Sequence, residues 1–292
     1  MQNFIIMTDS CCDLNAQEVA ELGIRVLPLT FVMDGKSYLD TPDHAQMSPE
    51  EFYRRVSAGA DCSTSAVSVG EFLAAMREEL SAGRDILCSA FSSALSTTYQ
   101  SACIAADDLK SEFPDRKVIV VDSRAASRGQ GMLVWRTVQE MRKNDLSLEE
   151  TADFVRGAFP HQCHWFTVED LNHLKRGGRV SSTAALFGTM LNIKPVLHVD
   201  DLGRLIPMNK ARGMKAALTQ LVDAMERLGV PPLADQTVFI CHAACPDYVS
   251  FVSELLRERF GVTDIRADYI GPVIGSHTGT GTLGLFFVGR EK

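Results

Sequence analysis

The chain has 292 residues, with 29 Lys and Arg against 37 Asp and Glu, a formal net charge of −8. At about 150 residues per domain this length predicts two domains, and 46% hydrophobic with 23% charged residues excludes global disorder. The acidic balance argues against a broad nucleic-acid or anionic-membrane surface, which needs clustered Lys and Arg, but leaves room for a local basic pocket.

The N-terminal Met1-Gln2-Asn3-Phe4 lacks the charged n-region and apolar stretch of a targeting signal. Apolar runs such as Val118–Val121 and Leu283–Val288 have strand length, far short of the ~20 residues of a membrane span. A cytoplasmic protein is expected. The eight Cys are scattered without a C-x-x-C, as suits a reducing compartment. His161-x-Cys163-His164 and Cys241-His242-x-x-Cys245 contain zinc-ligand types. Both fall in or beside predicted buried strands, and no metal is expected.

In chain order, Phe4–Met7 predicts a strand closed by Thr8-Asp9-Ser10, and Asp13 fits an N-cap for a helix over 14–22. Residues 24–33 predict one strand, turned at Asp34-Gly35 into a second over 36–39. Ser48-Pro49-Glu50-Glu51 and Ser68-Val69-Gly70-Glu71 read as capped helix starts. A strand over 85–91, a helix over 95–111, a strand over 117–121 and a helix over 130–143 follow. Ser147-Leu148-Glu149-Glu150 caps one more helix. Strands alternating with helices predict βαβ units and a parallel sheet.

The pattern then changes, and a boundary near residue 157 is expected. Next come a strand over 164–168, a short helix ending at Gly177-Gly178 and a hairpin around Asp200–Gly203. An amphipathic helix carries Met214, Leu218, Leu221, Met225 and Leu228 on one face. Strands over 237–242, 263–268 and 282–288, with a helix over 247–260, complete a mixed α+β half. The predicted class is therefore α/β, built as two different domains. Residues 1–156 form a three-layer domain with a parallel sheet, and 157–292 a domain with a mixed sheet and helices.

Three hydroxyl-rich turns, Thr8-Asp9-Ser10, Ser92-Ser93 and Asp122-Ser123, follow three predicted parallel strands, so they share the carboxyl-end rim where open sheets bind ligands. Ser63-Thr64-Ser65 precedes a helix. Short hydroxyls beside helix amides suit an anion, which makes Ser92, Ser93, Thr64 and Ser65 candidate ligand-binding residues, although each cluster also fits simple helix capping. Gly279-x-Gly281-x-x-Gly284 spells a dinucleotide fingerprint, but a strand follows it instead of a helix. These glycines more readily bring backbone close to a ligand, with His277 accessible among small residues. Lys175-Arg176-Gly177-Gly178-Arg179, with Lys194, Lys210 and Arg212 downstream, offers charge for a carboxylate or phosphate. No phosphate loop, G-x-S-x-G or H-E-x-x-H occurs. Asp9, Asp13 and Asp122 are oxygen donors of the type that binds magnesium, but no magnesium site is assigned.

Thr8-Asp9-Ser10-Cys11-Cys12-Asp13-Leu14, Ser63-Thr64-Ser65, Ser92-Ser93-x-Leu95-Ser96, Val121-Asp122-Ser123, Leu174-x-x-Gly177-Gly178-Arg179, Ile193-Lys194-Pro195 and Gly275-Ser276-His277-Thr278-Gly279 occur in an order and spacing that resemble the DegV family. The resemblance runs from residue 4 to about 289. It implies two α/β domains holding a long-chain fatty acid in an apolar tunnel, its carboxyl group near the interdomain cleft. It implies a carrier with no cofactor and no catalysis of its own, which presents the carboxyl group to an ATP-dependent fatty acid kinase subunit and then carries the acyl-phosphate. Carried over by position, Thr64 and Ser93 bind the carboxyl group, His277 hydrogen-bonds nearby, and Arg212 serves phosphotransfer with the kinase. Transient membrane contact is compatible with that role; nucleic acid is not a partner. The alternatives from the residues themselves are a Ser93/His277 acyl hydrolase and a module for another amphipathic carboxylate. Ala94 and Thr97 stand where glycines are familiar in the family, and Thr280 where proline is.

Overall fold

The computed structural model describes residues 3–180 and 192–292. The first half runs β1 (Phe4–Asp9), α1 (Ala16–Leu22), β2 (Arg25–Leu27), β3 (Leu29–Met33), β4 (Lys36–Asp40), α2 (Pro49–Ser57), β5 (Cys62–Ser65), α3 (Val69–Ser81), β6 (Asp85–Ala90), α4 (Thr98–Leu109), β7 (Val118–Asp122), α5 (Arg128–Asn144) and α6 (Leu148–Ala158). The second runs β8 (Gln162–Thr167), α7 (Asn172–Arg176), β9 (Ile193–Val199), β10 (Leu205–Arg212), α8 (Met214–Leu228), β11 (Val238–His242), α9 (Pro246–Phe260), β12 (Ile265–Tyr269), α10 (Pro272–Thr278) and β13 (Leu283–Val288).

The expected parallel sheet is present, in the order β2-β1-β6-β7. Helices α3 and α4 pack together on it, and α6 contacts β6 and β7 alongside α5. The second half holds the expected mixed sheet, in the order β10-β9-β8-β13-β11-β12. The change of sheet falls between Ala158 and Gln162, so a cut at 156/157 lies inside the last turn of α6. One apolar core cluster joins Ile6, Phe31 and Leu87 of the first half to Phe239, Val273 and Phe286 of the second. Helix α5 makes that junction, touching β8, β11 and β13. An added Cβ at its Gly129 would stand 2.2 Å from the His164 ring, a contact that fixes glycine there.

Residues 24–33 differ from the single strand expected. Pro28, which has no N–H for a ladder, separates β2 in the parallel sheet from β3 in a three-stranded antiparallel sheet, β4-β3-β5. The Asp34-Gly35 turn is as expected, with φ of 51° and 78°. Ser63-Thr64-Ser65 is strand β5, not a helix N-terminus; its Thr64 lies opposite Phe31. Asp13 is not the cap of α1. Asn15 is, accepting from Glu18 N–H in a reciprocal capping box, while Asp13 sits half-buried at φ 49°. Ser48 caps α2 by accepting from Glu51 N–H, but the Glu51 carboxylate pairs with Arg54. Helix α4 begins at Thr98, because Ser92–Thr97 forms the turn that carries the hydroxyls.

The largest local departure is α10. No element is expected over 272–278, yet Pro272 occupies the first turn and Gly279 ends the helix at φ 71°, the proline-start, glycine-stop asymmetry of helices. Gly275 is required by packing: a Cβ there would lie 2.6 Å from the Tyr53 hydroxyl oxygen and 2.8 Å from the Phe52 ring.

Candidate functional site

A cavity of about 520 Å³ lies between the two halves, within the ~300–1,000 Å³ of small-molecule sites. Leu29 and Phe91 from the first half face Phe166, Leu205, Val273 and Phe286 from the second across it. Exposed Ala94, Thr97 and Gln100 mark its mouth, and buried His164, Cys241 and Phe286 its interior. Ser93, Ser96 and Thr97 bring hydroxyls to the opening, and the apolar wall of Leu29, Phe91, Phe166, Leu205, Val273 and Phe286 is interrupted by buried Ser127, Thr278 and Thr282.

Thr64, Ser93 and His277 all line this cavity. On β5 the side chains alternate, so half-buried Thr64 faces inward while Ser63 and Ser65 are exposed. Thr64 Oγ1 is 2.8 Å from His277 Nε2. Burial, with the nearby Arg179 charge adding to it, pushes the His277 pKa down to about 4. The ring is therefore neutral at physiological pH. Its other nitrogen, Nδ1, packs against Gly177, where an added Cβ would come within 2.4 Å.

Ser93 stands at the carboxyl end of the parallel sheet. Its N–H donates to Asp122 Oδ1 (3.1 Å) and its hydroxyl to Asp122 Oδ2 (2.5 Å). Asp122 Oδ1 also accepts from Arg124 N–H at 3.0 Å. Arg179 is the cation among the described lining residues; its Nε donates to Leu95 O at 3.2 Å and its guanidinium also to Gly177 O. Ala94 and Thr97 are absent from the positive-φ residues, so this turn requires no glycine at either position.

Two residues expected to bind the ligand, Ser92 and Ser65, lie outside the cavity lining, as does Arg212, expected to serve phosphotransfer. Ser92 is buried and donates to Gly203 O at 2.9 Å, locking the turn before β10 to the first half. The pleat turns Ser65 to the exposed face of β5. Arg212 is exposed at the end of β10, opposite Ile193. It lies seven positions along the strand from the cavity wall at Leu205, about 23 Å at ~3.3 Å per residue.

Sequence reasoning missed the residues that hold α10. Asp13 Oδ1 accepts from Gly271 N–H (3.0 Å), Asp40 Oδ2 from Val273 N–H (3.3 Å), and the Tyr53 hydroxyl donates to Ile270 O (2.8 Å). Burial pushes the Asp13 pKa up to about 7 and the Asp40 pKa well above its usual range. These residues come from separate elements of the first half and meet only in the folded chain. His164, noted in the sequence only as a zinc-ligand type, lines the cavity. It is fully buried; Nδ1 lies 2.7 Å from Gln162 O, and Nε2 is among the buried atoms without a partner.

Among the described residues no group of three or more His, Cys, Asp or Glu is placed to hold a metal. Cys163 and Cys245 instead donate to the Glu291 and Thr282 carbonyls. Asp9 accepts from Cys11 and Phe91 N–H, and burial raises its pKa to about 6. Asp13 and Asp122 are likewise occupied by protein donors. No described helix is long and apolar enough to cross a membrane.

A parallel and a mixed α/β layer closing on an apolar cavity, with hydroxyls at its mouth, define a class of ligand-holding protein. The family model described as "Uncharacterised protein, DegV family" matches residues 3–290. The chain belongs to the DegV family. It is 44% identical over 292 residues to a DegV domain-containing protein of Clostridium perfringens, CPE0026, covering 100% of this chain and 99% of that one. Its structure resembles that of a DegV family protein from Thermus thermophilus described as fatty-acid binding (TM-score 0.86, 33% identity, 99% of this chain and 100% of that one). It also resembles a DegV lipid-binding protein from Thermotoga maritima (TM-score 0.84, 29% identity, 100% of both chains).

Proposed function

We propose that this chain binds one long-chain fatty acid in the 520 Å³ cavity, the tail among Phe166, Leu205 and Phe286 and the carboxyl group at Thr64 and Ser93. The observation that carries this reading is the neutral His277 on Thr64 at the polar wall of a mainly apolar cavity. With its proton on Nε2, the ring donates to Thr64 Oγ1, so Thr64 has its own hydroxyl proton to give the ligand. Burying ~14 methylenes at ~0.8 kcal/mol each supplies roughly 11 kcal/mol before ordering costs. A carboxyl group taken from water costs several kcal/mol unless hydrogen-bonded, so the hydroxyls fix register and limit that penalty. The fatty-acid-binding relative from Thermus thermophilus and the lipid-binding one from Thermotoga maritima support the ligand class.

The finer part of the proposal is the role of a carrier without a cofactor. A separate ATP-dependent kinase subunit would phosphorylate the carboxyl group, with the exposed Arg212 on the face it approaches. Mass spectrometry of a solvent extract from the purified, denatured protein tests the ligand: one long-chain fatty acid per chain is expected. An empty extract, with no uptake of added palmitate, refutes the reading. The Ser93/His277 hydrolase is not favoured. Among the described residues His277 bonds Thr64 and Ser93 bonds Asp122, so nucleophile and base do not meet.

A further inference from the structure

The two hydroxyls at the carboxyl-group site are not equivalent. Thr64 is backed by a neutral imidazole, which can donate to its oxygen and leave its proton free. Ser93 is backed by a carboxylate. Asp122 accepts the Ser93 hydroxyl at 2.5 Å and the Ser93 and Arg124 amides at 3.1 and 3.0 Å. The Ser93 hydrogen is thereby committed to Asp122, and Ser93 Oγ offers a ligand only its lone pairs.

We propose that Asp122 makes Ser93 a hydrogen-bond acceptor for the head group, so that the fatty acid is bound as the protonated carboxylic acid. The inference rests on the fatty-acid reading above. In that pose the ligand carbonyl accepts from Thr64 and the ligand O–H donates to Ser93 Oγ, completing a chain from ligand to Ser93 to Asp122. An ionised head group would place a second carboxylate one hydroxyl away from Asp122, and two like charges that close do not both ionise readily. One proton shared across such a pair is the general outcome.

The other groups near Asp122 set the terms of the test. Arg124 is in its own turn and directs its guanidinium to Asp201 O and over the Phe159 ring. Tyr99 on α4 is a phenol whose pKa is raised by its hydrogen bond with Cys103 and by burial, so it is neutral at pH 7. His277 on α10 is neutral. Arg179 is the opposing influence, a cation in the cavity wall that favours an ionised ligand, but its guanidinium is bonded to the Leu95 and Gly177 carbonyls.

A fatty acid carboxyl in water titrates in the range of ordinary side-chain carboxyls, about 4–5, so binding as the acid at pH 7 takes one proton from the buffer. Isothermal calorimetry of palmitate binding in buffers of different ionisation enthalpy reads this number directly. The expected result is uptake of about one proton per palmitate, with Kd rising about tenfold per pH unit between pH 6.5 and 8. In Asp122→Asn the amide donates to Ser93 Oγ, the Ser93 hydroxyl proton becomes free, and uptake drops to near zero with Kd changed less than tenfold. As a check that needs no variant, the carboxyl ¹³C shift of bound [1-¹³C]palmitate at pH 7 sits at the protonated position. Palmitate binding without proton uptake, or uptake unchanged in Asp122→Asn, overturns the inference and leaves the fatty-acid reading standing. No palmitate binding at all overturns that reading itself.

Discussion

Gly177→Ala tests whether the Thr64–His277 pair is what holds the ligand. Gly177 ends α7 at φ −70° and ψ −10°, a conformation alanine adopts without strain. The new Cβ would lie 2.4 Å from His277 Nδ1 and 3.4 Å from Cγ and Cε1, against 3.4–4 Å for ordinary contact. The ring must therefore move by about 1 Å. It cannot take α10 with it, because Gly275 is packed against Phe52 and Tyr53 and the preceding backbone is bonded by Tyr53 and Asp13. A displacement of about 1 Å, in whichever direction the ring yields, spoils the distance or angle of the 2.8 Å Thr64–His277 bond. Overpacking costs ~1–3 kcal/mol of stability. The lost bond costs about 1 kcal/mol in ligand affinity, near fivefold in Kd for palmitate. Gly178→Ala is the control: its φ is +69° and nothing lies within 4 Å of the added Cβ. It should lose ~1 kcal/mol of stability from backbone strain and leave Kd unchanged. Palmitate titrations and thermal melts on both variants separate the effects. An unchanged Kd in Gly177→Ala would refute the assignment of His277.

Ser93→Ala and Thr64→Ala should each weaken palmitate binding about fivefold or more in fluorescence or calorimetric titrations; unchanged affinity in both removes the head-group site. Ser92→Ala should leave affinity alone but cost ~1–3 kcal/mol in denaturant unfolding, since the buried Gly203 carbonyl loses its donor. The His277 pKa near 4 lies below its unfolded value of 6.5, so its stabilising contribution is full above pH 6.5 and is lost as pH falls towards 4. Ring NMR shifts of His277 should therefore stay constant from pH 8 to pH 5. Asp13 and Asp9 have the opposite sign: with folded pKa values near 7 and 6 against 3.8, their contribution is largest at low pH and declines as pH rises through that window. Asp13→Asn should flatten the pH dependence of melting between pH 4 and 7, and an unaltered profile would count against a raised Asp13 pKa. Under the proposed carrier role, Arg212→Ala should retain lipid, while a kinase subunit phosphorylates the bound fatty acid poorly. Lipid loss would place Arg212 in binding after all.

Local chemistry determined most elements of this protein from sequence alone. The alternation of apolar runs with Ser-capped helices specified the parallel sheet, because strand and helix periods and capping residues act within a few positions. The amphipathic repeat from Met214 to Leu228 specified α8 for the same reason. The ordered hydroxyl motifs brought Thr64, Ser93 and His277 to notice as residues. Tertiary structure decided what each of them does. The pleat of β5 turned Thr64 inward and Ser65 outward, and Ser92 and Ser93, adjacent in sequence, went to a hairpin carbonyl and to the cavity. Pro28 split one apolar run between two sheets. Helix α10, unexpected from the sequence, exists because Phe52, Tyr53, Asp13 and Asp40 converge on it from distant positions. The neutral charge state of His277 and the committed proton of Ser93 belong to the fold alone, since burial and the Asp122 carboxylate reach them only through long-range packing.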